Sequence, residues 1–295
     1  MPLVPDDGAL VLDGGLSNQL VDQGCDVTDP LWTARLLAEE PGQILAAHTA
    51  YLEAGAQVLT TASYQATFEG FARRGFGRAE TARLLGSSVR LARRAAAGSP
   101  GVRVAASVGP YGAMLADGSE YRGRYGLGVR ELERFHRPRI EVLAAAQPDV
   151  LALETVPDVD EAEAMLKAAE GTGVPLWLSY TVEGGRTRAG QRLEDAFALV
   201  ADRDEVVAVG VNCCAPGEVD DAVRLAAGIT RKPVVAYPNS GERWDAEGRR
   251  WAGGAQFDPA LVTGWCRAGA RLVGGCCRVG PTGIAGIAAV LRGGG

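Results

Sequence analysis

The sequence predicts an α/β protein, a single-domain (β/α)8 TIM barrel, and three observations carry that prediction. Eight short runs rich in Val, Ile, Leu and Ala recur along the chain. Most are near-continuously apolar, as parallel strands buried on both faces are. Stretches rich in Ala, Leu and Arg lie between them, and strand alternating with helix eight times over closes naturally into a barrel. The 295 residues are normal for one such domain, so residues 1–295 are read as one unit.

Taken in order, the first strand covers residues 9–13 and runs into Gly14-Gly15, with a helical stretch at 41–54. The second strand, 57–63, is followed by a helix at 79–97. The third, 103–109, leads into a Gly- and charge-rich loop at 111–128 and then a helix at 129–146. The fourth and fifth strands are 150–154 and 176–181, with a helix at 159–169 between them. The sixth is 206–213, followed by a helix at 219–227. The seventh is 234–238, with a second long loop at 241–256, and the eighth is 271–276, ahead of a last helix at 284–291. A doubly wound sheet is the competing fold, but the first turn reads Asp13-Gly14-Gly15-Leu16-Ser17-Asn18, without its Gly-x-Gly-x-x-Gly phosphate turn.

Composition narrows the function. A net charge of −6 and a pI near 5.2 disfavour nucleic acid, whose phosphates draw on Lys and Arg patches. No window of about 20 apolar residues marks a membrane span, and the N-terminus lacks the basic start and apolar run of a signal peptide. A cytoplasmic protein is expected. Six cysteines fit a reducing compartment, where thiols stay free for packing, metal or catalysis. Oligomeric state is not encoded legibly; a monomer or small homo-oligomer is expected.

The residues with chemistry gather at strand C-terminal ends, the face on which barrel active sites are built. Asp13, Tyr64, Glu154, Asn212, Cys213, Tyr237, Asn239, Cys276 and Cys277 all sit there. Strands six and eight lie two apart around a barrel, so their ends can share a tetrahedral ion; a catalytic zinc keeps three protein ligands and one open position. Adjacent side chains on a regular strand face opposite ways. Cys276 and Cys277 therefore converge only if the chain turns, and Gly274-Gly275 supplies permissive backbone. Spacing by itself leaves metal binding and simple packing both open for these three. Cys25, Cys214 and Cys266 read as small packed hydrophobes.

Gly274-Gly275-Cys276-Cys277-Arg278 together with Gly210-Val211-Asn212-Cys213 resembles the metal signature of the homocysteine S-methyltransferase family, and Asp13-Gly14-Gly15 its first-strand motif. Thr61-Ala62-Ser63-Tyr64-Gln65-Ala66-Thr67, Ser107-Val108-Gly109-Pro110-Tyr111-Gly112, Asp117-Gly118-Ser119-Glu120-Tyr121-Arg122-Gly123 and Tyr237-Pro238-Asn239-Ser240-Gly241-Glu242 are similar to the S-methylmethionine-dependent branch. The resemblance runs from about Asp13 to the C-terminus. It implies a barrel holding one Zn2+ on Cys213, Cys276 and Cys277, with homocysteine and a sulfonium methyl donor as substrates and methionine as product. Zinc would lower the homocysteine thiol from its ordinary pKa of about 8.5. The thiolate would then attack the donor methyl in line, with no acid or base needed at carbon. S-methylmethionine is the first donor expected, S-adenosylmethionine the second, betaine a distant third.

The resemblance also implies that Asp13 and Glu154 bind the α-ammonium of homocysteine; capping a helix N-terminus is their bland alternative. Gly14 and Gly15 offer backbone N–H groups to the substrate carboxylate or simply make a tight turn. Tyr64 approaches the open metal position or packs over the mouth. Asn212 orients Cys213 or binds substrate. Tyr111, Glu120, Tyr121, Tyr125 and Trp244 are donor-site candidates on the two loops, since aromatic faces and carboxylates stabilise a cation. His48 and His136 read as structural or surface residues, and Arg278 as a salt-bridge partner. Two other functions compete: a barrel aldolase or hydrolase working through Asp13 and Glu154, and a non-catalytic thiolate metal-binding protein.

Overall fold

The computed structural model describes residues 4, 8–29, 31–245 and 250–293, with backbone only for 243–245 and 250–252. Eight parallel strands form the central sheet: β1 (Leu10–Val11), β2 (Val58–Thr60), β3 (Arg103–Val108), β4 (Val150–Val156), β5 (Leu176–Tyr180), β6 (Val206–Asn212), β7 (Val234–Tyr237) and β8 (Ala270–Val273). Each strand pairs with its sequence neighbours, and β8 returns to β1. A bridge between Leu12 and Val58, with the Asp13 N–H donating to the Val58 carbonyl at 3.0 Å, joins β1 to β2 and closes the ring. The expected single-domain barrel is the observed fold.

Helices follow the strands: α1 (Pro41–Glu53), α2 (Arg78–Ala95), α3 (Val129–Ala145), α4 (Val159–Ala169), α5 (Leu193–Ala198), α6 (Val219–Thr230), α7 (Leu261–Ala268) and α8 (Pro281–Gly293). Pro41 opens α1 at a position where its missing N–H costs nothing. Asp158 caps α4, its side chain accepting from the Asp160 N–H at 3.0 Å. The short helices α5 and α7, of 6 and 8 residues, are not evident in the sequence pattern because so few turns establish no clear period. The stretch expected as loop 241–256 contains a hairpin, Arg243–Asp245 with Arg250–Ala252. The Trp244 side chain and residues 246–249 within that stretch lie outside the described residues.

Strand alternation divides the core in two. Val11, Val104, Ala106, Leu151, Leu153, Val209 and Val211 pack outward against the helices. Leu12, Val58, Ala105, Val150, Ala152, Trp177, Ala208, Val235, Tyr237 and Leu272 fill the barrel. Trp177 is fully buried there, and the alanines at 105, 152 and 208 leave its indole room. One large ring among three methyls is how a small barrel fills without a pore. The same parity that points Ala105 and Ala152 inward points Ser107 and Glu154 inward two residues later, toward the C-terminal mouth.

Candidate active site

Cys213, Cys276 and Cys277 converge at that mouth, with all three sulfurs within 4.8 Å of one another. The Cys213 and Cys277 sulfurs are 3.8 Å apart, and a tetrahedral ion with Zn–S bonds of about 2.3 Å requires thiolates separated by roughly that distance. The donor set and its spacing fit a thiolate-bound metal. Among the three sulfurs the proton is shared unevenly. The Cys213 and Cys276 thiols donate toward Cys277 and hold it well below the ordinary thiol range, while the same sharing and burial push Cys276 up.

Backbone hydrogen bonds fix this trio. The Cys213 N–H donates to the Tyr237 carbonyl at 3.2 Å, the Cys276 N–H to Pro238 at 2.7 Å, and the Cys277 N–H to Asn239 Oδ1 at 3.2 Å. The turn that brings Cys276 and Cys277 together differs from the expected one. Gly274 and Gly275 are absent from the positive-φ residues; Cys213 (φ 51°) and Arg278 (φ 63°) take the left-handed conformation instead. The glycines serve close approach. A Cβ on Gly275 would lie 2.2 Å from Val279 Cγ1, and one on Gly274 would lie 2.6 Å from Leu12 Cβ. Arg278 pairs with Glu242 at 2.6 Å, the structural bridge expected of it.

The sulfurs face a cavity of about 110 Å3 lined by Asp13, Gly14, Gly15, Trp32, Tyr64, Glu120, Tyr121, Glu154, Thr155 and Tyr237, among others. Asp13 Oδ2 accepts from the Thr60 N–H at 2.7 Å. Burial pushes the Asp13 carboxyl up to about 8, and the Glu154 charge adds to that. Glu154 accepts from the Ser107 hydroxyl and from the Tyr237 hydroxyl, the latter at 2.9 Å. Burial raises it to about 7 despite both donors. Neither carboxylate caps a helix, which removes that bland alternative.

Glu154 does not end its strand as expected. β4 continues to Val156 through a register shift between Leu153 and Val156, and bulges beside active sites re-aim side chains. Thr155, at φ 57°, carries the strain, which for a β-branched residue is on the order of 1–3 kcal/mol. Asn212 holds it there. The Asn212 Oδ1 accepts from the Thr155 N–H at 2.7 Å, and its Nδ2 donates to Thr155 Oγ1 at 2.8 Å. Asn212 also accepts from Ser179 Oγ at 2.8 Å and is fully buried. It lies beneath the cavity and does not line it, so the geometry gives it an orienting place and not a substrate contact.

The remaining candidates separate. Gly15 already donates its N–H to the Val279 carbonyl at 3.0 Å, which leaves that donor committed within the protein; Gly14 packs with its Cα against Val279 and Tyr51, where a Cβ would lie 2.1 Å from the Val279 oxygen. Tyr64 lines the cavity, but the hydroxyl at the sulfurs is that of Tyr121, 3.0 Å from Cys213 Sγ. Tyr111 and Tyr125 pack against one another, ring centroids 5.2 Å apart, and Tyr111 also meets Phe135; neither lines the cavity. Both histidines are completely buried, so neither is a surface residue. His136 bonds Glu161 at 3.0 Å and Arg139 at 2.7 Å, away from the sulfurs. Cys25 and Cys214 are buried and Cys266 half-buried against apolar neighbours. Sequence reading missed Ser107 and Thr155. The inward parity of β3 would have found Ser107; nothing local marks Thr155.

A family model described as homocysteine S-methyltransferase matches residues 10–291. The chain belongs to the homocysteine S-methyltransferase family. This methyltransferase is 44% identical to the homocysteine S-methyltransferase of Escherichia coli over 95% of its own length and 94% of that protein's. It is 43% identical to homocysteine S-methyltransferase 4 of Zea mays, over 97% of its length and 90% of that protein's. Among solved structures, the metallated form of the E. coli homocysteine methyltransferase MmuM superposes with a TM-score of 0.87 at 42% identity, covering 96% of each chain. A dihydrodipicolinate synthase of Bacillus anthracis, at TM-score 0.52 and 11% identity, shares the barrel alone.

Proposed function

We propose that this methyltransferase carries a zinc ion on Cys213, Cys276 and Cys277 and transfers a methyl group from a sulfonium donor, S-methylmethionine by preference, to the thiol of homocysteine, giving methionine. The observation that carries this reading is three sulfurs at metal-ligand spacing facing a cavity whose described lining holds three carboxylates and no Lys, Arg or His. Such a lining suits ligands that bring cations: the ammonium of homocysteine and the sulfonium of the donor. When bound, zinc supplies a Lewis acid that keeps the substrate sulfur as thiolate at neutral pH.

The protein's own groups do the positioning. Asp13 and Glu154 hold the homocysteine α-ammonium, and that charge restores both carboxylates to their ionised form. Ser107 and Tyr237 orient Glu154, and Asn212 holds the strained Thr155 so that Glu154 stays aimed at the cavity. The homocysteine sulfur forms a bond to the methyl carbon as the donor's S–CH3 bond breaks, its electron pair remaining on the donor sulfur. No proton moves at carbon. Trp32, Tyr64 and Tyr121 exclude water from that contact.

The competing barrel aldolase or hydrolase, working through Asp13 and Glu154 with packed cysteines, has less support, because the three cysteine sulfurs lie at metal-ligand spacing and line the cavity. Among the described residues no helix is long and apolar enough to cross a membrane, and six unpaired cysteines support a cytoplasmic location. The test is a donor panel on the reduced, zinc-loaded protein, read by methionine formation, with zinc measured on the same sample. Stoichiometric zinc and methionine from S-methylmethionine are expected. A protein that binds no zinc, or forms methionine from none of the sulfonium donors, overturns the reading.

A further inference from the structure

Three carboxylates line the cavity, and two suffice for the ammonium of homocysteine. Glu120 is the third. It comes from the single 3-10 turn Ser119–Tyr121, on the long loop after β3. Asp13 and Glu154 have strong donors within the protein. Glu120 Oε2 is buried with no hydrogen-bond partner among the described residues. Leaving a buried carboxylate oxygen unmet costs about 1–3 kcal/mol or more, so its position calls for a ligand.

The turn that carries it is anchored. Tyr121, the next residue, sets its hydroxyl 3.0 Å from Cys213 Sγ. A Cβ on Gly112 would lie 2.4 Å from the Glu120 nitrogen, so the loop is packed down on the helix Tyr111–Leu115. Arg188, which stacks over the Tyr121 ring at 5.7 Å, is paired with Glu183 at 2.6 Å and not with Glu120. The carboxylate thus lines the same cavity as the three sulfurs, and among the described residues no Lys, Arg or His pairs with it.

We infer that Glu120 is the counter-charge for the donor's sulfonium, with the Tyr121 ring beside it. The inference rests on the sulfonium reading above. The donor methyl must approach the homocysteine sulfur near the three cysteines, so the unmet carboxylate in the cavity they share, next in sequence to the Tyr121 anchored at Cys213, is placed to meet the sulfonium centre, and Asp13 and Glu154 remain with the acceptor. The chemistry sets a signature. The sulfonium begins with a full positive charge and ends as a neutral thioether, so an adjacent carboxylate stabilises the bound donor more than the transition state. Losing such an interaction raises the donor KM and does not lower kcat, which rises to the extent that the contact weakens in the transition state.

Glu120→Gln keeps the shape and removes the charge. The donor KM is expected to rise on the order of ten-fold, as the loss of one charged contact gives, while the homocysteine KM and zinc content stay as in the wild type. Calorimetric titration supplies a readout independent of turnover. S-methylmethionine, the cation, loses affinity in the variant by a similar factor, and methionine, its neutral thioether counterpart, does not. Equal loss for both ligands places Glu120 on their shared amino-acid head group or in a structural role and overturns the assignment, as does an unchanged donor KM. A wild type that forms no methionine from any sulfonium overturns the parent reading and this one with it. A wild type that does, paired with an indifferent Glu120→Gln, overturns this one alone.

Discussion

Replacing Glu154 by Gln isolates the acceptor site. The side chain is 6% exposed and takes hydrogen bonds from Ser107 and Tyr237. Gln keeps the shape and one acceptor oxygen, so the barrel should fold and the cysteines should keep their metal. What goes is the negative charge proposed to face the homocysteine ammonium. A hydrogen bond to a charged group contributes about 1.5–3 kcal/mol, and each 1.4 kcal/mol is a factor of about ten. The homocysteine KM should therefore rise between about ten- and one-hundred-fold, toward the lower end because Asp13 still faces the same cation. The ammonium keeps its charge throughout the reaction, so the contact is equal in ground and transition states and kcat should change little. The assay is steady-state methionine formation with homocysteine varied at saturating donor, alongside zinc content and melting temperature. A homocysteine KM within about two-fold of the wild type, in a variant with normal zinc and melting, would refute the placing of Glu154 on the ammonium.

Further outcomes follow from the same geometry. Cys276→Ser should lose stoichiometric zinc and methionine formation together, read by metal analysis and activity; retention of both would remove Cys276 from the metal site. Gly275→Ala should lower the melting temperature by the equivalent of about 1–3 kcal/mol and weaken zinc binding, because its methyl would sit 2.2 Å from Val279 Cγ1; unchanged melting and zinc affinity would mean that the turn absorbs the methyl freely. The raised carboxyls at Asp13, about 8, and Glu154, about 7, make both binding and stability depend on pH. Homocysteine affinity should fall as pH drops through 8 to 7, where these groups protonate. With folded values above the ordinary 3.8 and 4.5, the substrate-free native state holds the extra protons, so its stability should fall as pH rises from about 4 to 8 and level off above. Thermal melts across that range check the sign, and a melting temperature rising from pH 5 to 8 would contradict it.

The barrel was legible because its signals are local. Apolar runs, their spacing and the residues at their ends are all present in short windows, and strand parity places Glu154 and Ser107 inward without any knowledge of distant contacts. The three cysteines were legible only as candidates: spacing left packing and metal binding equally open, and resemblance to a family narrowed them. Tertiary structure decided the rest. Cys213 and Cys277 lie 64 positions apart in the chain, and only closure of β8 onto β1 and β7 sets their sulfurs at ligand distance. The bulge after Glu154 depends on an asparagine 57 positions away, so no local pattern near Thr155 could announce it. The glycines before Cys276 looked like a flexible turn. In the fold they are vacancies shaped for Val279 and Leu12, and the left-handed residues are Cys213, itself one of the three clustered cysteines, and Arg278, which follows Cys277. A chain of side chains specifies which faces are buried; which atoms meet across the mouth is set by the stagger of eight strands, a property of the closed barrel alone.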